Sequence, residues 1–146
     1  MSARSVSAEA VRTASVEVTP ELIATIVGTG GYTHPLFNPT PAQQAEGATA
    51  PLPGQGILLL MGGLLEQSGA LDHAIAMVEL KSVKFLQMVK AGSSLSVELV
   101  PTESHLTSSG KLIQNYRWTA LNGDDVPVAE AHAVMLMHPI EGDDAP

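Results

Sequence analysis

The stretch "PGQGILLLMGGLLEQSGAL", residues 53–71, decides the fold. Wound at 3.6 residues per turn it is apolar on nearly every side, which marks a helix buried in a core rather than an amphipathic one on a surface. Gly62 and Gly63 lower its helix propensity, so their presence points to close approach by neighbouring backbone or a ligand. The unbroken apolar run, residues 56–65, is too short to span a bilayer. Beyond it the hydrophobic period changes to two. Strands are expected near 75–87, 94–104, 111–122 and 126–138, separated by the turns "KAGSS", "TSSG" and "NGDD". "LNGDDV" is a hairpin signal.

Upstream, "ASVEVTPELIATIVGTGG" reads as a short strand, an N-cap at Thr19, Pro20 at the first helical position and a helix ended by glycine. Residues 30–53 form a long, Pro-rich segment with little periodicity, and a loop of that length in a compact domain is usually functional or disordered. The order is strand, short helix, loop, buried helix, four long strands. An α+β domain satisfies it, with an antiparallel sheet wrapped around a long apolar central helix. The expected boundaries are a flexible N-terminus over 1–13, one domain over 14–139, and a flexible acidic tail over 140–146.

Composition agrees with one domain of 146 residues, large enough to bury a core. The chain is 45% hydrophobic but only 3% aromatic, so aliphatic side chains and methionine must fill that core. The absence of cysteine excludes a disulfide framework, a thiolate metal site and a cysteine nucleophile. The first ten residues, "MSARSVSAEA", lack the apolar core of a signal peptide, and a cytoplasmic location without a membrane span is expected. The formal net charge of −8 argues against nucleic acid, which requires clustered cations. Lys81, Lys84 and Lys90 lie within ten positions of one another. They are either a wet strand face or, for Lys84 and Lys90, a weak contact to a phosphate.

Between helix and loop lies "GGYTHPLF", residues 30–37, and downstream lies "SVKFLQMVKAGSSL". Together with the helix entry "PGQGILLLMGGLLEQSG", these resemble the MaoC-like hydratase/dehydratase group of the hot-dog superfamily, over about residues 15–138. The first string is similar to that group's T-G-D-x-N-P-L-H loop. The second is similar to its strand and turn kFl-x-P-V-x-x-G-D-x-L, with Met88 in place of Pro and Ser93 in place of Asp. The resemblance implies a homodimeric hot-dog fold acting on acyl thioesters of coenzyme A or an acyl carrier protein. It implies no cofactor beyond the coenzyme or phosphopantetheine that the substrate carries, and an acyl chain lying beside the central helix at the dimer interface. In such hydratases the loop's Asp and His activate the water. Here Tyr32 stands at the Asp position and Phe37 at the His position; a shifted register places Gly31 at the former.

With that dyad replaced, His34 is the loop group that titrates near neutral pH, either a general acid–base or a turn histidine bonded to backbone. Tyr32 either donates a hydrogen bond to a thioester carbonyl or fills space. Asn38 either caps the loop or orients a nucleophile. Thr33, Phe37 and Met61 are expected along the substrate, with Phe37 lining the acyl pocket. Gln55 and Gly56 begin the buried helix, where free N–H groups and the positive end of the helix dipole suit a thioester oxyanion. No histidine pair has metal-ligand spacing with a third ligand, so no metal site is expected.

Three functions remain open on this reading. The first is addition or elimination across the α,β-bond of an acyl thioester, with water or with an amine that brings its own lone pair. The second is hydrolysis of the thioester, with His34 activating water. The third is a non-catalytic subunit that binds an acyl chain or partners an active relative.

Overall fold

The computed structural model describes residues 3–4, 9–138 and 140–141. Four long strands carry the sheet: β4 (Ala74–Phe85), β5 (Ser94–Leu106), β6 (Leu112–Leu121) and β7 (Pro127–Met137). They lie within about two residues of the spans that the period-two pattern marks. Short strands β2 (Val11–Arg12) and β3 (Val16–Glu17) pair antiparallel with β5, and the sheet order is β2-β5-β6-β7-β4. β1 (Ala3–Arg4) pairs antiparallel with β8 (Ile140–Glu141). The end expected to be flexible over 1–13 is therefore partly ordered. Val11 and Arg12 belong to the sheet, and Arg12 donates to Ser96 Oγ and reaches Asp125 at 2.7 Å. Residues 142–146 of the expected tail lie outside the described residues.

Helix α1 (Pro20–Gly30) begins as the sequence implies, with the Thr19 side chain accepting from Leu22 N–H and Pro20 in the first turn. The 30–53 segment is more regular than expected. It holds a 3-10 turn (Pro35–Phe37) and a short helix α2 (Pro41–Ala45). Thr40 and Gln43 bond each other's backbone at the start of α2, a capping box whose S/T-x-x-Q signature stands in the sequence.

Helix α3 (Gly54–Gln67) packs against β5 and β6 of the sheet. Ile57, Met61, Leu64 and Leu65 are buried against inward residues of β5, β6 and β7, among them Leu99, Trp118 and Met135. The helix is not covered all round, however. Leu59 is 65% exposed, and a Cβ built on Gly62 or Gly63 would meet nothing within 4 Å. The close approach that the glycines suggested is absent within this chain. The open flank continues onto β4, where Ile75, Met77, Val78 and Phe85 are exposed along a strand paired on one side only, to β7. This antiparallel sheet wrapped on one helix is the hot-dog arrangement.

Tyr116 is the largest fully buried side chain, 1% exposed, with its hydroxyl donating to Met137 Sδ at 3.3 Å. Burial pushes its phenol up from 10.0 to about 12. Between those two values the unfolded chain gives up this proton while the folded chain keeps it, so stability falls as pH rises. The expected loss across that window is about 2–3 kcal/mol. Denaturant unfolding at stepped alkaline pH should show it, and Tyr116→Phe should flatten the slope.

Candidate active site

The loop after α1 is shaped by its two glycines. Gly31 sits at φ 71°, the left-handed C-cap that favours glycine, and its N–H bonds Gly28 O. A Cβ on Gly30 would lie 2.5 Å from the Tyr32 ring, so glycine there lets the ring fold back over the helix end. From this position the Tyr32 hydroxyl donates to Gln55 Oε1 at 2.8 Å, tying the loop to the first turn of α3. Phe37 packs edge-on against Tyr32, with ring centroids 5.2 Å apart. Asn38 Nδ2 donates to the carbonyls of Tyr32 (2.9 Å) and His34 (3.1 Å), so it staples the loop rather than facing a nucleophile.

His34 is exposed and has a structural partner. Its Nδ1 accepts from Leu36 N–H at 3.0 Å and so caps the 3-10 turn. In the neutral ring the proton then sits on Nε2, which makes His34 a hydrogen-bond donor as it stands. To take a proton at Nδ1, the ring must first release Leu36.

The start of α3 supplies the other donors. Pro53 has no N–H and offers no side-chain cap, and its carbonyl accepts from both Gly56 N–H (2.8 Å) and Ile57 N–H (3.1 Å). The Gly56 amide, expected to be free, is therefore engaged; the first-turn amides of Gly54 and Gln55 are the ones an α-helix leaves without an intrahelical acceptor. Gly56 is glycine for packing, since a Cβ there would press on Ile26 and Leu52 at 3.0–3.1 Å. Gly54 borders a cleft of about 380 Å³ whose walls include Leu36, Phe37, Ile57, Phe85 and Met88. The Phe85 ring lies over Gly54, where a Cβ would come within 3.0 Å of it.

No carboxylate lines this cleft. Glu66 and Asp72 border a separate cleft of about 430 Å³ with Gly62 and Met77. Glu66 is eleven residues along α3 from Gln55, roughly 16 Å at the helical rise. Within one chain the loop and helix start thus form a cluster of donors without a carboxylate base. Among the described residues no group of three or more metal-ligating side chains is clustered, and no helix is long and apolar enough to cross a membrane.

Of the other residues expected in the site, Thr33 stays on the loop and the rest fall elsewhere. Met61 is 0% exposed and packed in the core. Lys84 stands in register with Glu130, 3.9 Å from its carboxylate, on the sheet face turned away from α3. Lys90 is exposed beside Val89, whose carbonyl accepts from Leu52 N–H. Thr33 is exposed on the loop.

The sheet, central helix and preceding loop define a hot-dog domain of the kind found in MaoC-like dehydratases and (R)-hydratases. Among solved structures, the chain is similar to a MaoC-like dehydratase from Rhodospirillum rubrum, with TM-score 0.75 and 16% identity over 90% of this chain and 92% of that one. It is similar also to the (R)-hydratase from A. caviae involved in PHA biosynthesis (TM-score 0.69, 20% identity, 89% and 95% covered). A third is the C-terminally truncated HadBC (3R-hydroxyacyl-ACP dehydratase) complex from Mycobacterium tuberculosis (TM-score 0.68, 18% identity, 89% and 97% covered). At such identities the likeness is one of fold. No protein-family model and no curated protein matches the chain.

Proposed function

We propose that this protein is an acyl-thioester enzyme of the hydratase/dehydratase type, adding to or eliminating across the α,β-bond of a coenzyme A or carrier-protein thioester. The observation that carries the reading is the donor cluster at the start of α3, tied by the Tyr32–Gln55 bond to the loop that holds His34. The thioester carbonyl oxygen accepts from the Gly54 and Gln55 amides, where the helix dipole adds to their pull. Polarisation draws electron density from the β-carbon. A nucleophile then bonds there, the π pair moves onto the carbonyl oxygen as an enolate, and a proton returns to the α-carbon. His34 is the proton-transfer residue, releasing Leu36 N–H when Nδ1 takes a proton.

The engagement of His34 Nδ1, and a cleft at Gly54 that no carboxylate lines, favour one variation. An amine attacks with its own lone pair, so an amino acid reacts from its unprotonated fraction, and the proton that nitrogen sheds once the C–N bond has formed passes through His34 to the α-carbon. Hydrolysis of the thioester demands the same carbonyl polarisation but needs water activated in the ground state.

Incubation with crotonyl and 3-hydroxybutyryl thioesters, with and without amino acids, separates these by mass spectrometry. Gain or loss of water supports hydration or dehydration, gain of an amino acid supports amine addition, and free acid indicates a thioesterase. Unchanged thioester throughout would leave a non-catalytic acyl-binding subunit.

The assembly proposed with this function is a homodimer joined through β4. Its free edge carries Ile75, Met77 and Val78, and Leu59 flanks it on α3; a twelve-residue edge strand left open is an aggregation hazard. Light scattering at micromolar concentration should give twice the chain mass. Val78→Asp, which would bury an unpaired charge in the joint, should weaken the dimer by about a hundredfold or more. A monomeric wild type would sink the idea.

A further inference from the structure

A second cavity also borders Phe37. It measures about 650 Å³ and lies between α1, which presents Ile23, Ala24 and Val27, and the facing segment that contains Pro39, Ala48 and Ala50. Ile23 and Val27 belong to the buried core, so the floor is firm and apolar. No charged side chain lines it. Of the polar side chains that do, the Asn38 amide donates to two loop carbonyls and the Gln44 amide to Pro39 O, so both brace the roof, which leaves the Thr49 hydroxyl as the polar side chain open to a ligand. Phe37 lines this cavity as well as the cleft beside Gly54, so the two share that residue.

We propose that this cavity is the acyl-chain pocket, taking an unbranched chain of medium length past Phe37 while the thioester stays at Gly54 and Gln55. The assignment rests on the thioester reading above and moves the chain from the flank of α3, where the resemblance implied it, to the face of α1. A nucleotide or a sugar would find few unengaged polar partners here. An alkyl chain needs none, and the volume is within the range of small-ligand pockets. Ala24 and Ala48, small residues on opposite walls, set the depth.

Binding of n-alkyl thioethers of pantetheine, which cannot react, tests this by calorimetry. Chains from four to twelve carbons should bind the wild type about fourfold more tightly per added methylene, until the cavity is filled. Ala24→Phe should bring that break forward by roughly three or four carbons, the bulk of a ring in a close-packed space. Ala48→Phe, from the exposed facing wall, should do the same if the helix variant folds poorly, and Thr25→Phe, outside the lining, should not. A break that stays in place in the folded variants, or affinity independent of chain length, overturns the assignment. Because no turnover is measured, a chain that binds with the expected break but transforms no thioester would refute the catalytic reading and leave the pocket standing.

Discussion

His34→Ala should lower kcat roughly 10²–10⁴-fold with a confirmed thioester substrate, the range of positioned acid–base catalysis, and His34→Asn should be no better. The pair is chosen because His34 has two jobs. Its Nδ1 caps the Pro35–Phe37 turn, and a side-chain oxygen of asparagine can accept the same N–H. If capping were all that mattered, His34→Asn would turn over like the wild type. The existing hydrogen bond does not veto proton transfer. Releasing one exposed backbone N–H to water costs about 1 kcal/mol, whereas the rate factor above is worth about 3–5 kcal/mol. Tyr32→Phe, which removes only the bond to Gln55, should cost about one hydrogen bond, a fivefold to tenfold effect. Thermal unfolding of each variant guards against loss of fold. A fully active His34→Asn would make the loop a scaffold and leave the proton transfer to the substrate.

Most of the fold could be read because its signals are local. The Thr19–Pro20 start of α1 and the change of period after Leu71 each need only neighbouring residues, and each lies where the pattern puts it. What could not be read was which way an all-apolar helix faces. Met61 and Leu59 are equally hydrophobic, yet Met61 points into the sheet and Leu59 into the open. Periodicity cannot rank the faces of a helix that lacks a polar one. The loop was less opaque than it looked: the Thr40–Gln43 capping box was a signal for α2 that the prolines masked. The His34 cap was harder to see, because a histidine serving as a turn acceptor has no pattern in its neighbours. Gly56 fell out of the oxyanion set for a geometric reason, since the first turn of α3 tightens and the Pro53 carbonyl claims its amide.

That tightening makes the oxyanion proposal testable at a single atom. Gly54→Pro removes the Gly54 N–H and changes little else that the helix needs. The position is the first of α3, where proline's missing donor breaks no intrahelical bond and its fixed φ suits the start. Pro53 already has ψ 144°, the extended backbone that a following proline requires. The new ring meets Phe85, but that side chain is 49% exposed and has room to swing. Stability should therefore change by no more than about 1 kcal/mol, while kcat falls about 10²–10³-fold, the usual effect of losing one oxyanion donor. Gly54→Ala is the matched control. It brings a similar first clash with Phe85 but keeps the N–H, so it should retain most of the turnover. If proline and alanine at this position behave alike, the Gly54 amide holds no oxyanion, because the two differ chiefly in that one donor. The charge would then fall to the Gln55 amide and the helix dipole alone.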